Sequence, residues 1–133
     1  MKRLFLDCFA GISGDMFLGG LVDLGLDQAA WRAGLEGLPV RGWTLSIRTV
    51  RKAGIRATKV DVAVQEEQPH RHLSDIRAIL ADSGLPPSVR ERAAAVFEAL
   101  AEAEARVHGT DKERVHFHEV GAVDAIVDVV GAV

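Results

Sequence analysis

The sequence predicts an α+β fold, in which a small mixed or antiparallel sheet is covered by about five helices. Apolar and polar residues alternate over residues 43–48 and 60–64, which is typical of a β-hairpin with one solvated face. Apolar residues recur every three or four positions over residues 89–107, as in a long amphipathic helix. The continuous apolar run Leu4-Phe5-Leu6 indicates a strand that is covered on both faces. These patterns place helices and strands in a single domain.

The first half of the chain is predicted to contain a strand, two helices and the hairpin. The strand spans residues 3–8 and leads through a glycine-containing turn into a helix capped by Ser13. A second helix begins after Asp27 and ends at Pro39. The buried face of the first helix is predicted to consist of Met16, Phe17, Leu21 and Leu24.

The second half is predicted to contain three helices and a short strand. A polar surface loop, residues 65–71, precedes a helix that starts near Ser74 and stops at Gly84. The long helix opens at Pro86-Pro87-Ser88 and ends at Gly109. A strand over residues 115–118 and a helix from Val120 follow. The inward stripe of the long helix is predicted to be Val89, Ala93, Val96, Leu100, Ala103 and Val107.

Composition is that of an ordinary globular domain and restricts the partners. The chain has 133 residues, of which 48% are hydrophobic and 26% are charged, and its net charge is -3. This charge argues against a nucleic-acid partner, since phosphate binding needs clustered basic residues. No apolar stretch is long enough to span a membrane, and no signal peptide is recognisable. The single cysteine, Cys8, cannot form an internal disulfide, so the fold is compatible with a reducing cytoplasm.

The last helix reaches Val133 without a glycine cap, a proline or a basic last turn. We therefore expect that a full-length protein continues and that these residues form its N-terminal domain.

Five titratable groups interrupt an otherwise apolar stretch near the end of the chain. His116 and His118 point the same way on a strand and can share a nickel, zinc or cobalt ion, with Glu119 as a third donor. Asp124 and Asp128 stack on one helix face, where they repel each other unless a cation lies between them. The structural alternative is that an arginine or lysine pairs with the aspartates and that each histidine has a structural role.

The turn after the first strand carries a second group of candidate residues. Gly11, Ser13 and Gly14 precede a helix N-terminus, where converging backbone amides can accept a phosphate. Asp7 and Asp15 flank the turn and are suitable ligands for Mg²⁺ or Mn²⁺. The structural alternatives are a tight turn capped by Ser13 and an aspartate that only complements the helix dipole.

The remaining histidines and the cysteine lie outside these two groups. His70 and His72 form a His-x-His pair on the polar loop, which can capture a transition metal or have no role. Cys8 is interpreted as a small core residue rather than a ligand or nucleophile. His108 is expected to stabilise the C-terminus of the long helix through its dipole.

With these residues assembled, the chain resembles the N-terminal part of the LarC family of nickel insertion proteins. The resemblance covers nearly the whole chain. It is carried by LDCFAGISGDM (residues 6–16), AEARVHG (residues 103–109) and, most specifically, HFHEVGAVDAIVDVVG (residues 116–131).

The resemblance implies a cytoplasmic nickel insertase of the lyase class. Such proteins insert nickel into pyridinium-3,5-bisthiocarboxylic acid mononucleotide, consuming CTP with Mn²⁺ or Mg²⁺, and form the nickel-pincer nucleotide used by lactate racemase. Two features depart from the family pattern. The long histidine-rich tract of many members is reduced here to residues 68–72, and the C-terminal domain that holds the CTP site is missing. The isolated domain is therefore not expected to be active alone.

The hypothesis assigns a role to each candidate residue. Nickel is expected at His116, His118 and Glu119, with His70 and His72 as further metal ligands, and the mononucleotide phosphate at the Gly11, Ser13 and Gly14 turn. Asp7, Asp15, Asp124 and Asp128 are expected to hold a hard cation or position the substrate, with Asp7, Asp15, Glu119 and Asp124 as the catalytic set.

Two alternatives remain open. The same residues can form a non-catalytic module that stores nickel or bridges subunits in a homo-oligomer. They can also act with Mg²⁺ as a phosphate-ester hydrolase, although no further phosphatase pattern is visible.

Overall fold

The computed structural model describes residues 3–65, 69–117 and 121–133. It confirms the predicted α+β class. The helices are α1 (Gly14–Asp23), α2 (Gln28–Glu36), α3 (Leu73–Ala81), α4 (Pro87–His108) and α5 (Val123–Ala132), and a 3-10 turn spans Lys112–Arg114. The strands are β1 (Trp43–Lys52), β2 (Ile55–Val64), β3 (Arg71–His72) and β4 (His116–Phe117).

The hairpin of β1 and β2 confirms the alternating pattern. Its register pairs Trp43 with Val64 at one end and Lys52 with Ile55 at the other. Ala53 and Gly54 both have positive φ angles, 50° and 82°, as in the type I′ turn that suits tightly connected antiparallel strands. On β1 half-buried and exposed residues alternate from Trp43 to Arg48, so over this stretch one face of the hairpin contacts the domain and the other faces water.

A second antiparallel sheet consists of β3 and β4 alone. Arg71 pairs with Phe117 and His72 with His116. The prediction of a single sheet was wrong in this respect, because the strand near His116 pairs with residues that we had assigned to a loop. Two residues are too few to show alternation, so β3 leaves no periodic signal in the sequence.

The core is built mainly on α4. Its buried residues are Ala93, Phe97, Ala101 and Ala105, spaced one turn apart. The predicted stripe was therefore wrong at Ala103, which is exposed, and at Val96 and Val107, which are 38% and 81% exposed. Small alanines around one large aromatic ring allow α3 and α5 to approach closely, so burial follows Phe97 rather than the valines. Among the described residues, no helix combines the length and apolar character needed to cross a membrane.

The α1 helix packs between β2 and α5. Gly19 lies so close to the Thr58 carbonyl that a Cβ at this position would collide with it. A separate contact joins α2 to α5, where Trp31 Nε1 donates a hydrogen bond to the Gly131 carbonyl at 3.0 Å. Gly14, at the N-terminus of α1, lies against the side chain of Asp128 in the middle of α5.

The predicted first strand is not present in this structure. Residues 3–13 form neither strand nor helix, and Leu4, Phe5 and Leu6 are 49%, 88% and 46% exposed. The predicted face of α1 was also wrong, because Met16 and Leu24 are exposed while Leu18 is fully buried. A strand exists only when another strand pairs with its backbone, and neither sheet of the described residues extends to residues 3–8.

Candidate functional site

Two histidines that belong to different predicted clusters meet at the small sheet. Because His72 of β3 lies directly opposite His116 of β4, their rings come together with centroids 3.9 Å apart and planes at 47°. His72 is half-buried and His116 is exposed. We refer to these two residues as the histidine pair.

The hydrogen bond of His72 determines which of its ring nitrogens is available. Nδ1 lies 3.0 Å from the backbone carbonyl of Val115. Because a carbonyl can only accept, Nδ1 carries the proton, and the lone pair of neutral His72 is on Nε2. Metal-binding histidines usually donate their second ring nitrogen to a carbonyl or carboxylate in this way, which fixes tautomer and orientation. His72 therefore has the arrangement of a metal ligand.

The surrounding residues hold the histidine pair in place. The His72 backbone N–H donates to Asp75 Oδ2 at 2.7 Å at the start of α3. Arg71 Nη1 donates to the carbonyl of Gly121 at 2.7 Å. Phe117 is buried and packs edge-to-face on Phe97 of α4, with ring centroids 6.3 Å apart. Because neighbours on a strand face opposite sides, burial of Phe117 directs His116 outward.

A second group of candidates meets where α1, β2 and α5 converge. A cavity of about 280 Å³ is lined by residues of all three elements, and we refer to it as the carboxylate pocket. It brings Ser13, Gly14 and Asp15, from the end of the glycine turn and the start of α1, together with the predicted aspartates of the last helix. Its lining residues are Ser13, Gly14, Asp15, Val60, Asp61, Val62, Asp124 and Asp128.

Asp128 is the least compensated group of this pocket. Burial, together with the nearby charges of Asp15 and Asp124, raises the pKa of Asp128 to about 6. Its Oδ1 atom is buried and has no hydrogen-bond partner among residues 3–65, 69–117 and 121–133. Gly14 packs against this carboxylate, and a Cβ there would come within 2.6 Å of the Asp128 Cγ. A proton or a cation would relieve the charge.

Asp15 and Asp61, by contrast, already have a counter-ion. Lys59 Nζ lies 2.9 Å from Asp15 Oδ2 and 3.0 Å from Asp61 Oδ1. The Ser13 hydroxyl donates a hydrogen bond to Asp15, and this bond, followed by the one from Lys59, lowers the pKa of that carboxyl. Lys59 and Asp61 were missed at the sequence level, because on an alternating strand they look like ordinary residues of the solvated face.

Two of the other predicted site residues, Asp7 and Gly11, do not join these two groups. Asp7 and Gly11 are exposed on residues 3–13, outside the lining of the carboxylate pocket. His70 is exposed. His118 and Glu119 lie outside the described residues, so their predicted roles stay predictions. In the part of the chain that the structure describes, no three histidine, cysteine or acidic residues are arranged to hold a metal ion.

Cys8 is exposed, so the prediction that it is a core residue was wrong. His108 Nε2 lies 3.2 Å from Glu104 Oε2 one turn earlier on α4. Its position in the last turn of the helix agrees with the expected role at the C-terminus.

A larger cavity, of about 420 Å³, lies between α2 and β1 and contains none of the predicted site residues. Arg32, Arg41 and Trp43 are among the residues that line it. Glu36 also lines the cavity, so the net charge of the lining is +1, and Arg32 Nη1 donates to the Leu45 carbonyl at 3.1 Å. Guanidinium groups beside an indole can attract an anion that carries a flat ring. The carboxylate pocket would repel such a ligand unless a cation lay between them.

Comparisons with known proteins show which family the chain belongs to. The model of a family described as nickel insertion protein matches residues 4–133. A pyridinium-3,5-bisthiocarboxylic acid mononucleotide nickel insertion protein of Desulfitobacterium hafniense is 56% identical over 133 residues, which are 100% of this chain and 33% of the relative.

Two further relatives named as nickel insertion proteins are similar over the same region. The one from Citrifermentans bemidjiense is 53% identical over 132 residues, 98% of this chain and 34% of the relative. The one from Dictyoglomus thermophilum is 44% identical over 132 residues, 99% of this chain and 34% of the relative. The chain thus spans about a third of the length of the curated relatives it matches. No solved structure matches it.

Proposed function

Because the chain belongs to the nickel insertion protein family, we propose that it receives nickel for insertion into pyridinium-3,5-bisthiocarboxylic acid mononucleotide. The nickel is its cargo, and the histidine pair is the point of binding. One observation carries this assignment: two imidazoles from separate segments pair across β3 and β4, and His72 already donates Nδ1–H to a carbonyl.

A site with two protein ligands suits a protein that must give its metal away. Nickel(II) bound to nitrogen and oxygen donors takes about four ligands in a plane, so two imidazoles leave positions open. The two thiocarboxylate groups in the name of the substrate would supply sulfur donors to those positions. The acceptor can then contact nickel before the imidazoles release it. His70, His118 and Glu119 stay predicted as additional ligands.

The carboxylate pocket is proposed to hold a hard cation, Mn²⁺ or Mg²⁺, in the longer protein. Asp124 and Asp128 are its proposed ligands, because Asp128 has an unpaired buried oxygen, whereas Asp15 is bound by Lys59. Carboxylates with unpaired oxygens are the ligands that such cations prefer. The use of CTP with this cation, assignment to the lyase class, formation of the lactate racemase cofactor and a cytoplasmic location belong to the same proposal. So does the expectation that the domain is inactive alone.

The phosphate of the mononucleotide has two candidate positions. The turn of Gly11, Ser13 and Gly14 adjoins the carboxylate pocket, so a phosphate there requires the hard cation. The cavity with Arg32 and Arg41 needs no cation. Substitution of Arg41 by alanine should weaken mononucleotide binding if the arginine cavity is used and leave it unchanged if the turn is used.

Nickel titration by calorimetry tests the binding point. The His72→Ala/His116→Ala double variant should bind nickel at least about tenfold more weakly than the parent chain, since both imidazoles are removed. The matched control is His108→Ala, which removes an exposed histidine at the end of α4. Equal affinities of the double variant and the parent, with native circular dichroism, would contradict the assignment.

A chimera distinguishes nickel insertion from the non-catalytic alternative. It joins this chain to the part of the Desulfitobacterium hafniense relative that lies outside the matched region. If the protein is an insertase, the chimera supplied with nickel, CTP and the mononucleotide should form a nickel-containing nucleotide that mass spectrometry detects. If the chimera binds nickel and CTP but never forms that product, storage or assembly is favoured over insertion. Release of inorganic phosphate from simple esters would instead favour the hydrolase.

A further inference from the structure

The segment of residues 4–9, which we call the N-terminal segment, exposes several large apolar side chains close together. Phe5 and Phe9 are 88% and 93% exposed, and Leu4 and Leu6 are about half exposed. Phenylalanines of this exposure on a contiguous segment are typical of an interaction surface.

The backbone of the segment is also unpaired. Within the described part of the chain, the only backbone hydrogen bond made by residues 3–12 joins Gly11 N–H to the Cys8 carbonyl, at 3.0 Å. The run Leu4-Phe5-Leu6 nevertheless has the composition of a strand that is buried on both faces. The sequence thus encodes a strand that finds no neighbour among the described residues.

One face of the segment is covered and the other is open. Leu4 and Leu6 share a small cavity of about 50 Å³ with Met16, Phe17 and Leu21 of α1. Phe5 lies between Leu4 and Leu6 in the sequence, is 88% exposed and does not line this cavity, so its side chain faces away from α1. A strand that is buried on both faces needs an element packed on each face and a neighbouring strand. Among the described residues, the segment has α1 on one face, but no element packs on the other face and no strand pairs with its backbone.

The open surface continues towards the carboxylate pocket. An almost wholly apolar groove of about 270 Å³ is lined by Ile12, Phe17, Val96, Val129 and Val133, and Asp128 borders it. A polypeptide that covers the N-terminal segment and enters this groove would therefore also contact the pocket that holds Asp128.

We propose that the N-terminal segment is a strand of a sheet whose other strands lie in the longer protein, outside the region matched here. About two thirds of the Desulfitobacterium hafniense relative lies outside that region, since the match covers 33% of it. A short edge forms few hydrogen bonds and holds a separate molecule weakly. A segment of the same polypeptide gains from its high effective concentration, which favours it over a second copy of this chain.

Hydrogen exchange and thiol labelling test this proposal without reference to nickel. In the chimera described above, amides of residues 4–8 should exchange at least about tenfold more slowly than in the 133-residue chain. Maleimide labelling of the exposed Cys8, followed on its peptide by mass spectrometry, should slow by a similar factor. Equal rates in the short and long proteins would overturn the proposal.

A charged substitution separates docking from folding. Phe5→Asp should leave the urea midpoint of the 133-residue chain unchanged but restore rapid Cys8 labelling in the chimera. The control is Val107→Asp, which places the same charge on an exposed position of α4 and should leave labelling slow.

Two further outcomes are decisive. If the chimera does not fold, exchange at the matching residues of the intact relative and of its isolated matched third gives the same comparison. The amides of residues 4–8 could instead be protected from exchange in the 133-residue chain alone, with protection that rises with protein concentration. That result would overturn the proposal and assign the surface to a second copy.

Discussion

The histidine pair and the carboxylate pocket are built in opposite ways. His72 is fixed by bonds from its ring to Val115 and from its backbone to Asp75, so its ligand nitrogen is oriented before any metal arrives. Asp128 is half-buried beside other acids, with one oxygen that no described residue satisfies. The first site is therefore expected to bind metal in this domain alone. The second is expected to respond to protons and to whatever cation enters it.

The largest expected effect comes from Gly14→Ala, which changes the carboxylate pocket and leaves the histidine pair intact. A Cβ at Gly14 would push against the Asp128 side chain and separate α1 from α5. Overpacking of this kind costs about 1–3 kcal/mol, measurable by urea unfolding. Nickel affinity should not change. The matched control is Gly20→Ala on the same helix, where the added methyl meets nothing within 4 Å. It should be neutral or stabilising, and equal losses in both variants would contradict the close contact.

Asp75→Ala is expected to affect the other site. The carboxylate of Asp75 accepts the His72 N–H at the point where β3 becomes α3. Its loss should cost about 1 kcal/mol of unfolding free energy, as for other helix N-terminal capping groups, and should weaken nickel binding because His72 is less well held. Calorimetry and urea unfolding measure the two effects. The control is Asp82→Ala, an exposed acid at the other end of α3, and a loss of nickel affinity there would contradict the local mechanism.

Asp128→Asn tests the pH dependence of the carboxylate pocket. The pKa of Asp128 is raised to about 6 from 3.8, so between these values the native state holds a proton that the unfolded state has released. This bound proton contributes to the free energy of unfolding in full below pH 3.8, and the contribution is lost as pH rises through about 6. Because Asp128 is half-buried and partly screened by solvent, the expected loss is about 1 kcal/mol.

Unfolding free energies measured from pH 4.5 to pH 8 check this behaviour. The parent chain should lose stability relative to Asp128→Asn as pH rises across the window. A control variant, Asp82→Asn, should follow the parent. Parallel curves for Asp128→Asn and the parent would show that Asp128 does not titrate in this window.

Lys59→Met is expected to have the smallest effect on folding and an informative effect on binding. The Lys59 ammonium occupies the space between Asp15 and Asp61 and competes with any entering cation. Its removal should strengthen Mn²⁺ binding several-fold and leave nickel binding at the histidine pair unchanged. The exposed Lys52 provides the control variant Lys52→Met. A change in nickel affinity would mean that the two sites are coupled.

Elements with local signals were predicted well from the sequence. Asp27 accepts N–H bonds from Ala29 and Ala30 as an N-cap should, and Gly109 ends α4 with a positive φ of 62°. The hairpin followed its alternating pattern. Pairing between distant segments left no such signal, which is why β3 was missed. Residues 3–8 have the composition of a strand, but composition cannot supply the neighbour that a strand needs.

For the candidate site, too, the local features were predictable from the sequence and the long-range contacts were not. The residue types at His72, His116, Asp15 and Asp128 indicated metal binding from spacing alone. Which of them meet was decided by two non-local facts, the register of β3 against β4 and the packing of α1 on α5. The compensation of Asp15 by Lys59 depends on the same packing, so the division between paired and unpaired carboxylates appears only in three dimensions.

The ladder between β3 and β4 also closes a loop, because it joins the chain just before α3 to the chain just after α4. Closing such a loop costs chain entropy, and the interactions of two residue pairs offset only part of that cost. A nickel ion shared by His72 and His116 would act as a cross-link across this closure and raise the melting temperature in proportion to the logarithm of its concentration. An acceptor that takes the ion would remove this added stabilisation, so metal transfer and the stability of the two-residue ladder would be thermodynamically linked.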